Sequence, residues 1–313
     1  MPNKDAVHID KALTNLSIRY TNAAYIGETM FPIVPVAKES DKYFIYGKEH
    51  YARHGTLRAD GSESNEFNWT VDTDTYTCEE YALHTAVTDR ERANADAPIS
   101  PDIDAAEMLT DAIKLDWEVR YQTSATAAAS YATGHSAAAA TQWNNSTGTV
   151  QSDILTGQEV VRRGCQRFPN TMFIPSRVAM YVAQNSVIQD LIKYTHNDLL
   201  VRGPEASWVL PPVLWGMKVV VMMAVQNTAN LAQAESLADI WDDTVILAYV
   251  NPGPGLKKIT WGYTIQVRNW QTKKWREESR ESDIVEVSVI RDAKITCPAC
   301  AYRIQNTLAT AYE

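Results

Sequence analysis

The segment that most constrains the architecture is Ser100–Tyr131, SPDIDAAEMLTDAIKLDWEVRYQTSATAAASY. It opens like a helix, because Ser100 can cap the N-terminus, Pro101 suits the first helical position, and aspartates follow at the positive end of the helix dipole. Apolar side chains then recur every four residues in a narrow stripe formed by Leu109, Ile113, Trp117 and Tyr121. We therefore predict one helix that ends before Gly134 and exceeds the globular mean of about 11–12 residues.

Charged residues on this helix form two pairs at the i, i+4 spacing that allows ion pairing. The first pair is Asp116 with Arg120, and the second is Lys114 with Glu118. Two interpretations of the helix remain open. It is either an ordinary core helix or a spine along which an elongated subunit is built.

Two segments upstream of the helix are too polar and too thin to bury much against their own body. Residues 1–40 mix short apolar clusters with prolines, and the run Phe31–Val36 (FPIVPV) is extended because proline removes N–H donors. From Lys42 to Thr88 the β-formers alternate around a polar turn, Arg58–Asn65, with Asp-Gly at its centre. We predict an arm and a long two-stranded hairpin, and we expect neighbouring copies to support both.

Downstream of the helix, helix and strand patterns alternate at first, and strands then dominate. Helices are predicted over 152–166 and from a cap at Ser176, and strands at 171–175, 219–225, 244–250, 259–268 and 283–290. This order indicates the α+β class with a mostly antiparallel sheet. Trp270 and Trp275 lie in polar surroundings and are candidates for burial between subunits.

The composition excludes several classes of protein. The 313 residues are 45% hydrophobic and 21% charged, which is typical of a globular chain. Apolar runs are far shorter than the roughly 20 residues of a membrane helix, and the N-terminus lacks the apolar core of a secretory signal, so a soluble intracellular product is expected. The net charge of −9 argues against a protein that grips DNA, although it suits a container for DNA.

No residue pattern typical of catalysis occurs in the chain, such as a Gly-x-Ser-x-Gly elbow, a phosphate-binding glycine loop or His-Glu-x-x-His. Cys297 and Cys300 are the only cysteines paired by spacing, and a zinc site would need a second pair or nearby histidines. Buried thiols are therefore expected, and no cofactor or metal is predicted. A thiol or zinc enzyme that uses this pair is the alternative hypothesis, and a cytosolic binding module with the hairpin as recognition arm is the third.

Short motifs occur along nearly the whole chain in a fixed order. In the arm, Ala24–Glu28 precedes Phe31-Pro32 and Val34-Pro35-Val36. The hairpin opening follows at Ser40–Gly47, and its return at Tyr81–Ala95. Three further motifs lie at Phe168–Met172, Ile240–Asp243 and Trp261–Thr264. In this order they make the chain resemble the major capsid proteins of tailed bacteriophages, which share the Hong Kong 97-type fold.

The resemblance implies an α+β fold with five parts. Residues 1–40 would form the N-terminal arm, 41–88 the E-loop hairpin, 89–150 the P-domain with its spine helix, 151–282 the A-domain and 283–313 the return to the P-domain. The E-loop would reach over the spine helix of a neighbouring subunit. Inter-subunit contacts are implied for two sets of residues, Tyr25, Phe31 and Val34 in the arm, and Arg58, Asp60, Gly61 and Glu63 at the E-loop tip.

The function implied by the resemblance is structural rather than enzymatic. Hexamers and pentamers of the chain would close into an icosahedral shell that holds double-stranded DNA without sequence-specific binding. Other implied partners are a portal, a separate scaffold protein because the chain starts directly at the arm, and a decoration protein as an option. The implied location is the virion capsid after assembly in the host cytoplasm, with no membrane. The tip segment, Ala59–Asn65, has no lysine, so the autocatalytic crosslinking of some relatives is not expected.

Overall fold

The structure of the chain is a computed structural model. It describes residues 25–46, 53–66, 68, 71–95, 99–145, 148–192, 210–229, 233–253, 255 and 258–309. The arm prediction for residues 1–24 lies outside these described residues.

The helices of the described residues comprise one long helix and several shorter ones. The long helix, α3, spans Pro101–Thr126, and the next in length, α4, spans Val150–Cys165. The others are α1 (Gly27–Met30), α2 (Asp89–Asn94), α5 (Ser176–Gln184) and α6 (Ser186–Ile192). None of these helices is long and apolar enough to cross a membrane.

The strands form two large sheets and two small ones. One large sheet contains β1 (Ile33–Pro35), β4 (Glu79–Thr88), β12 (Gly262–Glu277) and β13 (Ser282–Ile295), in the order β1–β12–β13–β4. The other contains β5 (Ser136–Ala138), β6 (Thr171–Pro175), β7 (Val213–Leu214), β8 (Met217–Met222), β11 (Val245–Ala248) and β14 (Ala301–Gln305), in the order β5–β14–β11–β6–β8–β7. The small sheets pair β2 (Ser40–Tyr46) with β3 (Val71–Thr77), and β9 (Val225–Asn227) with β10 (Leu237–Asp239).

The α+β class predicted from the sequence is confirmed. Antiparallel pairings predominate among these strands, and the parallel ones are β1 with β12, β14 with β5, and β6 with β8. Strand β6 is buried along its whole length, which accounts for the apolar run TMFIP at its position. Its neighbours in the sheet are the apolar strands β8 and β11, so this sheet forms the centre of the second half of the chain.

The hairpin is shorter than the sequence interpretation predicted. Strands β2 and β3 pair in register from Ser40 opposite Thr77 to Tyr46 opposite Val71. The residues after Cys78 do not continue this hairpin, because β4 pairs along its whole length with β13 in the four-stranded sheet. The two-stranded excursion predicted for Lys42–Thr88 therefore ends near Cys78, and its last ten residues, Glu79–Thr88, are part of the body.

The long helix differs from its prediction in three details. It ends at Thr126 rather than Tyr131, and a single 3-10 turn follows at 128–130. Pro101 takes the first helical position as predicted, but the Ser100 side chain makes no capping hydrogen bond. The Asp116–Arg120 ion pair is confirmed at 2.7 Å. The predicted Lys114–Glu118 pair is wrong, because Glu118 is buried and accepts other hydrogen bonds. The predicted cap at Ser176 is also wrong, since that residue is the first helical residue of α5.

Candidate assembly surfaces

The described part of the arm, from Tyr25 onward, packs against the chain's own body. Phe31, predicted as an inter-subunit contact, is only 1% exposed. Its ring centroid lies 5.7 Å from that of Tyr121 and 5.0 Å from that of Trp261. The Thr264 hydroxyl donates to the Phe31 carbonyl and also bonds the Tyr121 hydroxyl, each at 2.8 Å. The prediction is corrected here, because a ring enclosed by Tyr121 and Trp261 has almost no surface left for a neighbouring copy.

The other two predicted arm residues are less enclosed than Phe31. Tyr25 is half-buried against the core. Val34 is half-buried in β1, where it pairs with Ile265 of β12. The contact of these two residues with neighbouring copies stays a prediction.

Glu118 has a structural role that the sequence analysis missed. Its carboxylate is 1% exposed and accepts hydrogen bonds from the backbone N–H groups of Ile26 and Gly27, at 3.2 and 3.0 Å, and from Trp241 Nε1 at 2.9 Å. Burial raises the pKa of this carboxyl, and the three hydrogen bonds oppose the rise. Three distant segments therefore meet on one side chain. The signal in the sequence was its position next to Trp117, at the edge of the apolar stripe.

Arg291 makes a second connection between arm and body. Its side chain is 1% exposed, and its guanidinium lies 4.2 Å from the centroid of the Trp117 ring and 5.2 Å from that of Trp270. Nη1 contacts the Glu28 carboxylate of α1 at 2.9 Å. A buried guanidinium between two aromatic faces needs such an anion, and Glu28 supplies it at the surface. Trp270 thus has an intramolecular partner, whereas Trp275 is 43% exposed and stays a candidate for subunit contact.

The hairpin tip is exposed throughout its described residues. The predicted contact residues Arg58, Asp60, Gly61 and Glu63 all lie here, and the Arg58 guanidinium donates to the Ser62 carbonyl. Gly61 has a φ of +75°, which suits glycine in this turn. Leu57 stands out in the tip because it is 93% exposed.

The base of the hairpin is held firmly against the four-stranded sheet. Tyr76 and Cys78 pack on Ile265 and Ile290 in a small apolar cluster. The Tyr43 hydroxyl donates to Asp74 at 2.8 Å, and Lys294 Nζ pairs with the same carboxylate at 3.2 Å. These contacts fix the base of the hairpin on the four-stranded sheet.

The long helix has one buried side and one side that borders a groove. Ile113, Trp117 and Tyr121 of the predicted stripe are buried, and Leu109 is half-buried. On the other side, a groove of about 520 Å³ lies between the first turns of the helix and strands β12 and β13. Its lining includes the apolar residues Ile103, Ala106 and Val285. It also includes the acidic residues Glu107 and Asp111.

An ion-pair network closes the end of this groove. Asp102 and Asp283 contact both Arg92 and Lys274, at 2.7–3.1 Å. Arg276 extends the network to Asp89 at 2.6 Å. The hydrogen bond from Lys274 holds the pKa values of Asp102 and Asp283 below the usual range. The network joins α2, the start of α3 and the β12–β13 hairpin.

The Cys297–Cys300 pair brackets a 3-10 turn at 298–300, and Cys300 is fully buried. Among the described residues, no group of three or more His, Cys, Asp or Glu side chains is arranged to hold a metal ion. The zinc form of the alternative hypothesis therefore lacks a ligand set in this part of the chain.

Comparison with known proteins gives relatives along most of the chain. No family model matches it. The major capsid protein of Burkholderia phage BcepMu is 27% identical over 288 residues, which are 88% of this chain and 89% of that relative. The major capsid protein of Pseudomonas phage JBD67 is 30% identical over 237 residues, which are 74% of each chain.

Solved structures share the fold. A phage-related protein from Bordetella bronchiseptica matches with a TM-score of 0.67 at 23% identity, over 92% of this chain and 93% of its own. The capsid of cyanophage P-SCSP1u matches with a TM-score of 0.64 at 10% identity, over 95% of this chain and 92% of its own.

The class that these features define is a shell-forming structural protein with the Hong Kong 97-type fold. The chain belongs to the family of phage major capsid proteins. It serves a structural role, assembles with copies of itself into a capsid shell, and is located in the capsid of the phage virion. The hypotheses of a thiol or zinc enzyme and of a cytosolic binding module are therefore set aside.

Proposed function

We propose that the chain assembles as hexamers and pentamers, in which the hairpin tip of one copy lies over the long helix of the next. The observation that carries this proposal is Leu57, which is 93% exposed at the tip. Full burial of a leucine side chain is worth about 1.5–3 kcal/mol, so a partner surface that covers it gains this free energy once per subunit.

The groove beside the long helix has the chemistry to receive this tip. Ile103, Ala106 and Val285 offer an apolar floor for Leu57. The groove lining also carries charges of both signs, from Asp102, Glu107, Asp111, Lys114 and Lys274. Arg58, next to Leu57 in the tip, can pair with an acidic side chain of this lining. In this proposal the groove belongs to another copy, because the described tip residues are exposed in the single subunit.

Many such contacts, repeated by symmetry, would hold the shell without covalent crosslinks. Interfaces in obligate assemblies commonly bury about 2,000–5,000 Å², and closed symmetry leaves no strand edge free. The tip has no lysine between Ala59 and Asn65, so the proposed assembly needs no bond-forming step and no enzymatic activity of the chain.

Double-stranded DNA is the proposed cargo, with a portal at one vertex and a separate scaffold protein during assembly in the host cytoplasm. A decoration protein on the outside remains an option in this scheme. Support for DNA as cargo comes from the family and from the net charge of −9, since a negative wall does not adhere to a packed polyanion.

The test is the Leu57→Asp variant, observed by negative-stain electron microscopy and analytical ultracentrifugation alongside wild type. We expect the variant to fold normally, because Leu57 has no internal packing to lose, and to form shells at least tenfold less efficiently. Thr56→Asp, also exposed at the tip, is the matched control for the added charge and should assemble like wild type. Normal shells from Leu57→Asp would show that the tip does not dock through this side chain.

A further inference from the structure

Three of the four cysteines meet at one place in the second half of the chain. Cys165 is the last residue of α4, and Cys297 and Cys300 bracket the 3-10 turn that follows β13. The Cys300 thiol is within hydrogen-bonding distance of both other thiols. None of the three forms a disulfide bond in this structure. We refer to these residues as the thiol cluster.

The packing around the thiol cluster is close enough to hold the three sulfurs together. A Cβ added at Gly164 would lie 2.9 Å from the Ala299 carbonyl oxygen, so α4 and the turn leave no room between them. The backbone N–H of Cys300 donates to the Cys297 carbonyl at 3.0 Å and fixes the turn. This proximity makes transfer between the sulfurs intramolecular and fast relative to attack from solution.

Solvent access differs across the thiol cluster. Cys297 is half-buried, whereas Cys165 and Cys300 are buried. A reagent in solution therefore reaches Cys297 first, and Cys300 reacts only through its neighbour. The fourth cysteine, Cys78, is buried at the base of the hairpin with its thiol directed at the Ile265 carbonyl, and it serves as an internal control.

We propose that the thiol cluster is a modification site that accepts a low-molecular-weight disulfide and closes a disulfide bond within the chain. Cys297, as thiolate, attacks one sulfur of the reagent, forms a mixed disulfide and releases one reagent thiol. Cys300 then attacks the Cys297 sulfur, forms the Cys297–Cys300 bond and releases the second reagent thiol. The chain loses two electrons and two protons, and the two released thiols carry them.

A third step transfers the disulfide to a cysteine that is distant in sequence. Cys165 attacks the Cys300 sulfur, which forms Cys165–Cys300 and returns Cys297 to the thiol. This exchange links α4 to the C-terminal strand region across a long loop, and disulfides that close long loops restrict the unfolded chain most.

The conditions that a virion meets favour this reaction after release from the host. The cytoplasm keeps thiols reduced, and the medium outside does not. Contact with the Cys165 and Cys297 thiols, together with burial, raises the pKa of Cys300, so this thiol does not react directly with a reagent in solution. A shell would therefore assemble reduced and oxidise later.

The experiment treats the reduced full-length protein with oxidised glutathione at pH 8, quenches with acid and maps peptides by mass spectrometry. We expect one internal disulfide per chain, with Cys300 as a member, and a melting temperature that rises by several degrees and returns after dithiothreitol. In Cys300→Ser the glutathione adduct on Cys297 should accumulate at least tenfold over wild type. Cys78→Ser should behave as wild type.

Two results would overturn the proposal. One is a glutathione adduct on Cys297 that persists in wild type without any internal disulfide. The other is an internal disulfide that forms in Cys300→Ser at the wild-type rate. The measurement is made on free subunits as well as on shells, so its outcome is independent of whether the hairpin tip docks as proposed above.

Discussion

At the scale of single residues, the buried carboxylate of Glu118 holds several segments of the chain together. It binds the start of the arm through two backbone N–H groups and the second half of the chain through Trp241. Removal of such an acceptor leaves buried donors unsatisfied, at a cost of about 1–3 kcal/mol for each. Glu118 therefore connects three segments that share no sheet.

The same residue predicts a pH dependence of stability. Burial raises the pKa of Glu118 in the folded chain above its ordinary value of 4.5. The folded state then holds the Glu118 proton more tightly than the unfolded state does. The stability that this proton contributes is fully present below pH 4.5 and is lost as the pH rises through the folded pKa. We expect the free energy of unfolding of wild type, relative to Glu118→Gln, to fall as the pH rises above the ordinary value of 4.5.

Urea unfolding of free subunits at several pH values measures this difference. Asp116→Asn, on the exposed side of the same helix, is the matched control and should reproduce the wild-type pH profile. Parallel profiles for wild type and Glu118→Gln would contradict the prediction.

At the scale of elements, the short helix α1 sits directly on the long helix α3. Gly27 makes this approach possible, because a Cβ at this position would lie 1.9 Å from Cδ2 of Tyr121. The neighbouring Phe31 ring stacks on the same tyrosine. The junction between arm and body thus depends on a missing side chain.

Gly27→Ala is therefore expected to destabilise the subunit by about 1–3 kcal/mol, the usual cost of overpacking. Ala has the higher helix propensity, so a loss of stability would identify the steric contact as the cause. Gly55→Ala is the control, since its Cβ would meet only Asn65 Nδ2 at 3.5 Å. Chemical denaturation of both variants tests this, and equal stability of the two would refute it.

Sequence analysis succeeded for elements with a strong local signal. The long helix, the strand at Thr171–Pro175 and the class were predicted correctly because apolar spacing and proline act locally. The errors concern pairing at long range. Strand β4 looks like the return of a hairpin, and only its pairing with β13, about two hundred residues later, places it in the body. Glu118 looks like a surface acid for the same reason, since its donors lie far away in sequence.

At the scale of the whole molecule, the body is packed and the tip is bare. Trypsin should cut free subunits quickly after Arg53 and Arg58, because both are exposed in the described tip. In assembled shells we expect cleavage there to slow at least tenfold, since a neighbour covers the tip. The control is Leu57→Asp, which should fail to assemble. At the same protein concentration, its tip should be cleaved as fast as that of free wild-type subunits. Equal cleavage rates in shells and free subunits would argue against the covered tip.

The connections of the arm also set when a new molecule becomes competent to join others. Phe31 rests on Trp261, Glu28 pairs with Arg291, and β1 lies beside β12. None of these partners exists until the ribosome has made most of the polypeptide, and loop closure over such separations is slow. The arm of a nascent chain therefore cannot pack on the body. Only a completed chain presents the surfaces through which subunits assemble.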